Sequence, residues 1–219
     1  MIATDKQIQI ISSSFPVYVD GKKLEGDLVI PEGATQLVLF SHGSGSSRHS
    51  KRNKYVAEQL QNKNIATYLI DLLSVQEDVF IANRFNINLL TDRLSEIVEA
   101  LKLKEETKEL NFGIFGASTG AASAIRVAEK YPQFIHAVVS RGGRTDLAID
   151  GARKLKIPTL MIVGELDHDV LFLNQRVFEQ MNCVRRLEII PDAGHLFEEP
   201  GTLEEVAFLA SNWFEKYLK

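Results

Sequence analysis

The sequence contains one cysteine in 219 residues, no excess of basic residues and no long hydrophobic run. Cys183 alone forms neither an internal disulfide nor a cysteine zinc cluster, and it favours a reducing compartment. The 25 Lys and Arg against 29 Asp and Glu give a net charge of −4, so we expect no broad attraction to nucleic acid or anionic lipid. No apolar run reaches the roughly 20 residues that span a bilayer, and the first residues do not read as a secretory signal. We predict a cytoplasmic protein that binds a small molecule, not nucleic acid or a membrane.

What the chain does contain is a regular alternation of apolar runs and helical spacings. With 45% hydrophobic and 25% charged residues, its composition is that of a globular protein, and we expect a single domain over 1–219. The apolar runs predict strands at 7–11, 17–19, 24–30, 37–40, 65–71, 111–115, 135–140, 158–163 and 185–190. The helical spacings predict helices at 51–62, 87–103, 119–130, 170–181 and 203–218.

This alternation predicts an α/β fold. Strands followed by helices favour a mostly parallel, doubly wound sheet of about eight strands, covered on both faces. Asp20-Gly21, between two strand-like runs, predicts an antiparallel hairpin near the N-terminus, at the edge of the sheet. The segment 73–85 is less regular and too short for a large lid domain, although it follows a strand and is able to overhang a site. Ligands of such sheets bind at the carboxyl ends of the strands, so we expect the functional residues there.

The predicted strand 111–115 is followed by Gly116-Ala117-Ser118-Thr119-Gly120, a G-x-S-x-G pattern. Such a pattern between a strand and a helix is typical of a sharp turn that exposes a serine oxygen as a nucleophile. The alternative is a tight turn whose serine only caps the following helix.

A serine nucleophile needs a base, and the base needs an orienting acid. His195 lies in a glycine-containing loop after the last predicted strand, where it is able to reach across the sheet edge; His168 is the competitor. Asp167 and Asp169 both follow the strand 158–163, and position favours Asp167 over Asp169, with Glu165 as a third choice. The chain order Ser, Asp, His is that of a nucleophile elbow enzyme.

Acyl transfer also needs two donors for the developing oxyanion. The backbone N–H of Thr119 is one, and the loop 41–47 supplies the other, with Ser44 as first choice and Gly43 next. His42 is expected to brace this loop by hydrogen bonding. The loop lacks the G-K-[ST] ending of a nucleotide P-loop, which argues against nucleotide binding.

Two arginines, Arg141 and Arg144, follow the strand 135–140 and should lie at the same edge. They are suited to binding a substrate carboxylate or phosphate. The alternative is a structural ion pair, for example with Asp146 or Asp150.

These motifs together resemble the α/β-hydrolase superfamily, and the compact form resembles its dienelactone hydrolase-like group. The matching pieces are Ser41-His42-Gly43-Ser44-Gly45, Gly116-Ala117-Ser118-Thr119-Gly120, Gly164-Glu165-Leu166-Asp167 with Val170, and Gly194-His195-Leu196-Phe197. The G-x-x-D-x-x-V spacing carries the triad acid in that superfamily, which again favours Asp167. Dienelactone hydrolases carry a cysteine nucleophile where this chain has Ser118, so the resemblance implies the fold and acyl hydrolysis but not that substrate.

We therefore expect a serine hydrolase that cleaves an ester-like bond of a small substrate through Ser118, His195 and Asp167. The reaction requires neither a metal nor an organic cofactor. Two alternatives remain: an acyltransferase on the same scaffold, and a binding protein that kept the fold without the activity. The sequence leaves the oligomeric state open.

Overall fold

Ten strands and eight α-helices make up the part of the chain, residues 11–219, that the computed structural model describes. The strands are β1 (Ile11–Ser14), β2 (Val17–Val19), β3 (Lys22–Leu24), β4 (Gly26–Ile30), β5 (Gln36–Ser41), β6 (Ala66–Ile70), β7 (Asn111–Ala117), β8 (Ile135–Arg141), β9 (Thr159–Gly164) and β10 (Arg185–Ile190). The helices are α1 (Lys51–Asn62), α2 (Val75–Asp78), α3 (Ile81–Arg84), α4 (Ile87–Lys102), α5 (Thr119–Lys130), α6 (Ile149–Lys154), α7 (His168–Phe178) and α8 (Thr202–Tyr217). Most of the strand predicted at 7–11 lies outside the described residues.

Eight of the strands form one sheet in the order β1-β4-β6-β5-β7-β8-β9-β10. The six strands from β6 to β10 in this order are parallel, whereas β4 pairs antiparallel with both β6 and β1. The predicted mostly parallel sheet is therefore confirmed. The carboxyl ends of the six parallel strands lie along one edge, and the loops at that edge carry the candidate site.

Both faces of the sheet are covered by helices, which explains why its strands are apolar without alternation. In β5, Leu37 and Leu39 belong to the core beneath α4 and α5, while Val38 and Phe40 belong to the core beneath α1 and α8. All residues of β6 and β9 are buried. A strand with water on one face would instead alternate apolar and polar residues.

The hairpin forms at Asp20-Gly21, where both residues adopt positive φ angles of 48° and 70°. Such a two-residue turn matches the twist of paired strands. The hairpin is shorter than predicted, however, because β2 and β3 form a separate two-stranded sheet. The chain then changes sheet at Glu25, and β4 enters the main sheet at Gly26, where any Cβ would collide with the ring of Tyr68.

The less regular segment between β6 and α4 forms two one-turn helices, α2 and α3, at the carboxyl edge of the sheet. It is no more than a short overhang, so the described structure has no large lid. Across residues 11–219, no helix is both long and apolar enough to cross a membrane.

Candidate active site

Ser118 occupies a strained turn between β7 and α5. Its φ and ψ are 51° and −122°, a conformation that residues other than glycine rarely adopt. Two glycines make the turn possible: a Cβ at Gly116 would lie 2.5 Å from Ala121 Cα, and one at Gly120 would collide with the carbonyl of Ser41. The turn is also held by Ser118 N–H, which donates to Arg141 O at 3.2 Å. This is the geometry that G-x-S-x-G predicts.

The Ser118 side chain is half-buried and makes no capping hydrogen bond to α5, although Ser118 is the residue that precedes the helix. The alternative interpretation of the motif, a serine retained as a helix cap, is therefore not what the structure shows. The loop after β5 packs directly against this serine, since a Cβ at Gly43 would lie 3.0 Å from Ser118 Cβ.

His195 and Asp167 form a hydrogen-bonded pair from two different loops. The distance from His195 Nδ1 to Asp167 Oδ2 is 2.6 Å, and both side chains are half-buried. The competing residues are exposed: His168 and Asp169 lie in the first turn of α7. Glu165 accepts a hydrogen bond from Asp192 N–H at 3.1 Å and so braces the loop that carries His195.

The segment that follows β8 contacts both the imidazole of His195 and the backbone of Ser118. A Cβ at Gly142 would lie 3.4 Å from both Nδ1 and Cε1 of His195, and Arg144 N–H donates to Ser118 O at 3.0 Å. No hydrogen bond joins Ser118 Oγ to His195 among the described residues. Such bonds are often long in ligand-free sites and tighten when substrate binds. No group of three or more potential metal-ligating side chains occurs in residues 11–219 either.

The glycine loop after β5 is braced by His42, as expected. His42 Nε2 accepts the Leu72 N–H at 3.1 Å, which leaves the proton on Nδ1 to be donated to Gly43 O at 3.0 Å. Burial lowers the pKa of the His42 imidazole, outweighing the Gly43 hydrogen bond and the charge of Asp71, which raise it. A neutral His42 therefore ties the loop to the end of β6.

The two expected oxyanion donors meet at Thr119. Its own N–H opens α5 and has no partner within the helix, as holds for every first helical residue. The Ser44 N–H donates to Thr119 Oγ1 at 2.9 Å. A narrow cleft beside this contact is lined by the glycine loop together with Leu73, Asp78, Arg84 and Leu90. The overhang of 73–85 thus reaches the site, where Arg84 is held by Asp78 at 2.9 Å and 3.0 Å.

Arg141, the last residue of β8, and Arg144, which follows the strand, differ sharply. Arg144 forms a two-pronged ion pair with Asp146, at 2.9 Å and 2.8 Å, which is the structural alternative that the sequence allowed. Arg141 is 7% exposed and pairs with no carboxylate of the described chain. Sequence reasoning treated the two alike. It also missed Asn53, which contacts Arg141 from α1, because that contact joins residues far apart in the sequence and exists only in the folded chain.

A doubly wound sheet with a serine at a strained elbow and a His–Asp pair at the same edge is the arrangement of an α/β hydrolase. The chain belongs to this superfamily and to its dienelactone hydrolase-like group. The family model Hydrolase_4, described as serine aminopeptidase, S33, matches residues 32–147. A dienelactone hydrolase from Anabaena variabilis is 49% identical with a TM-score of 0.93, and the match covers 96% of this chain and 100% of that one.

More distant and longer relatives extend the comparison. Est1E from Butyrivibrio proteoclasticus has a TM-score of 0.81 at 17% identity, over 94% of this chain and 98% of that chain, so the likeness is one of fold. A protein named as a putative phosphoribosyl transferase of Mycobacterium tuberculosis is 46% identical over 214 residues, which are 98% of this chain. Those residues are 47% of that protein, so the chain spans about half the length of the curated relatives that it matches.

Proposed function

We propose that the protein is a serine hydrolase that cleaves an ester-like bond of a small substrate, with Ser118 as nucleophile, His195 as base and Asp167 as orienting acid. The observation that carries this proposal is that Ser118 is strained and does not cap α5. At the same edge of the sheet, His195 Nδ1 lies 2.6 Å from Asp167 Oδ2. A structural serine gains nothing from a positive φ, whereas a nucleophile gains an exposed oxygen above the sheet.

In the proposed reaction, Asp167 holds the Nδ1 proton of His195, so that Nε2 accepts the proton of Ser118 as the serine oxygen attacks the carbonyl carbon. The N–H groups of Thr119 and Ser44 stabilise the oxyanion. His195 then returns its proton to the leaving alcohol, and the acyl group stays on Ser118. Water repeats the sequence, releasing the acid and restoring the serine. No metal or organic cofactor takes part.

The Ser44–Thr119 contact adds one condition to this mechanism. In the structure, the Ser44 amide donates to the Thr119 hydroxyl, which therefore occupies an acceptor position that the oxyanion requires. The proposed hole is completed when the substrate oxygen replaces that hydroxyl. A rotation of the Thr119 side chain would free the Ser44 N–H for the substrate oxygen.

The test is the hydrolysis of p-nitrophenyl acetate and butyrate by purified wild-type protein and by Ser118→Ala, His195→Ala and Asp167→Asn. We expect each variant to lose at least about 1,000-fold in kcat/KM, since triad members act as a unit. The matched controls are His168→Ala and Asp169→Asn, which change the same residue types at exposed neighbouring positions and should keep their activity.

The same assay separates the alternatives. An added alcohol that captures most of the acyl group in preference to water would identify an acyltransferase instead. A folded wild-type protein that hydrolyses no ester and reacts with no serine-directed probe would contradict the proposal and favour a binding protein. The transferase activity in the name of the mycobacterial relatives is not carried over to this chain, because the match covers 47% of those proteins.

A further inference from the structure

Arg141 is a buried charge without a counter-charge. Arg141 is the last residue of β8, and it is 7% exposed. Its Nε has no hydrogen-bond partner, and its one side-chain hydrogen bond to the described residues is long, 3.5 Å from Nη2 to Asn53 Oδ1. No carboxylate among the described residues forms an ion pair with it. Buried charges in proteins are normally paired, because burying an unpaired charge destabilises the fold.

The other arginine that is buried among the described residues, Arg93, is paired with carboxylates, whereas Arg141 is not. Arg93, with a side chain 4% exposed, contacts Glu77 at 2.9 Å and Asp20 at 3.1 Å. Arg144 has Asp146, and Arg84 has Asp78. An arginine kept buried without such a partner is suited to a partner that arrives from outside.

The surroundings of Arg141 also favour an anion. Asn53 lies in the first turn of α1, a 12-residue helix whose amino end carries the positive pole of its dipole and has no acidic residue in its first turn. The guanidinium carbon lies 5.8 Å from the ring centroid of Phe197, which packs there with a φ of 53°. Burial, and secondarily the charge of Arg52, lowers the pKa of the Arg141 guanidinium to about 10, so it remains charged at neutral pH.

The position next to the proposed catalytic residues connects this charge to the substrate. Arg141 O accepts the Ser118 N–H, and the following residue, Gly142, packs against the ring of His195. We propose that Arg141 and the first turn of α1 form a subsite for an anionic group, a carboxylate or a phosphate, carried by the ligand of this site. The substrate class that follows, an ester bearing a negative charge, rests on the proposed function.

An exposed ion pair joins the two segments that enclose this subsite. Arg52 Nη1 contacts Glu198 Oε1 at 2.9 Å, with the two side chains 31% and 68% exposed. Exposed pairs of this kind contribute little to stability and open readily. Glu198 also competes with an incoming anion for Arg52. Its removal should therefore strengthen anion binding, the opposite effect to removal of Arg141.

The first experiment measures binding without catalysis. Thermal unfolding of the wild type, Arg141→Met and Arg153→Gln is followed with inorganic phosphate, with succinate, and with chloride at equal ionic strength. Arg153 is the control for loss of one positive charge, because it is exposed and lies on α6. We expect phosphate, succinate or both to raise the Tm of the wild type and of Arg153→Gln, but not of Arg141→Met. The anion that acts identifies the group.

Without added anion, Arg141→Met should itself unfold roughly 2–4 °C above the wild type, because it replaces an unpaired buried charge with an apolar side chain of similar length. A structural arginine would give the opposite result. A Tm of Arg141→Met below that of the wild type would overturn the proposal. So would anions that shift the Tm of the wild type and of Arg141→Met equally.

The second experiment compares mono-p-nitrophenyl succinate with p-nitrophenyl butyrate, esters of similar size with and without a negative charge. We expect Arg141→Met to lose about 10- to 100-fold in kcat/KM for the charged ester only, the effect of one charge-assisted contact. Arg141→Lys should retain part of the preference, and Glu198→Gln should raise it by up to about fivefold. Equal losses on both esters would contradict the subsite.

The two experiments fail separately. If the protein shows Arg141-dependent anion binding but hydrolyses neither ester, the proposed hydrolase function is wrong and the anion subsite stands. If it hydrolyses both esters equally well and binds neither anion through Arg141, the subsite is wrong and the hydrolase proposal stands.

Discussion

At the scale of single residues, the site depends on backbone conformations that only particular residues permit. Ser118 at a φ of 51° stores strain of about 1–3 kcal/mol, which the surrounding contacts must hold in place. Gly116 and Gly120 let β7, α5 and the loop after β5 approach one another closely enough to do so. Because this requirement is local, the elbow was predictable from five consecutive residues.

The choice of acid was harder to make from sequence, and the reason lies in where a helix begins. Asp167 and Asp169 are two positions apart, but α7 starts at His168. Asp167 therefore precedes the helix and turns toward His195, whereas Asp169 lies in its first exposed turn. The spacing favoured Asp167, which is the carboxylate that contacts His195. The start of α7 at His168 explains why Asp167 and not Asp169 makes this contact. Its catalytic role stays a prediction.

Arg141 and Arg144 show what residue patterns do not contain. Both follow the same strand, and nothing in the sequence distinguishes them. Burial and partner choice depend on which helices cover the strand, so the ion pair of Arg144 and the isolation of Arg141 appear only in the folded chain.

At the residue scale, we predict that His42 stabilises the glycine loop after β5. His42→Ala removes the acceptor of the buried Leu72 N–H and the donor to Gly43 O, so we expect a loss of about 1–3 kcal/mol in the free energy of unfolding. Because the loop also positions Ser44, kcat should fall as well. Urea unfolding and ester hydrolysis measure the two effects. His49→Ala, at an exposed position after the same loop, is the control, and equal behaviour of both variants would contradict the bracing role.

At the scale of elements, the helices followed from the sequence more closely than the strand pairings did. The bounds predicted for α1 and α5 agree with the observed ones, because helical spacing is a local property of the sequence. The assignment of β3 and β4 to one hairpin strand was wrong, because the choice between sheets depends on contacts with β6 and Tyr68, far along the chain.

The overhang after β6 carried a signal that the sequence analysis missed. Ser74 and Glu77 form a capping box, in which Ser74 Oγ accepts the Glu77 N–H and Glu77 accepts the Ser74 N–H, at 3.3 Å and 3.0 Å. The S-x-x-E spacing predicts such a helix start. Glu77 also contacts Lys22 and Arg93, so one carboxylate connects the hairpin, α2 and α4.

The element-scale prediction follows from that carboxylate. Burial raises the pKa of Glu77, but hydrogen bonds from Lys22, Ser74 and Arg93 outweigh it and lower the pKa to about 2. A pKa below the ordinary 4.5 means that Glu77 contributes stability above about pH 4.5 and loses it as the pH falls toward 2. Glu77→Gln should therefore be less stable at pH 7 by on the order of 1–3 kcal/mol and show a shallower acid dependence.

The measurement for Glu77 is urea unfolding across pH 7 to 3, with Glu105→Gln as the control. Glu105 is 83% exposed and pairs only with Lys108, so its removal should change neither the stability nor the acid dependence by a comparable amount. An acid dependence as steep in Glu77→Gln as in the wild type would show that the network does not stabilise the fold.

At the scale of the whole molecule, the site exists because of the order of the strands. From β5 the chain pairs with β6 on one side and β7 on the other, so the direction of winding reverses there. Ligands of doubly wound sheets bind at such a switch point. The glycine loop follows β5 and Ser118 follows β7, while Asp167 and His195 arrive on the loops after β9 and β10. The sequence predicted these loops at one edge but not which strands are neighbours.

This topology also explains why the site cannot be assigned to any segment alone. Residues of four loops, spread from 42 to 195, lie at one edge of the sheet, and each loop is positioned by a different strand. The relatives that are twice as long retain this whole unit, since the match covers 98% of the present chain.

We propose that His195, held by Asp167, activates Ser118. The most direct test of this proposal is labelling of the folded protein with a fluorophosphonate probe, followed by peptide mass spectrometry. We predict modification at Ser118 in the wild type and in His168→Ala, and a loss of about 100-fold or more in labelling rate in His195→Ala. Labelling at the same rate in His195→Ala, or modification of other serines in place of Ser118, would contradict the proposed activation of Ser118 by His195.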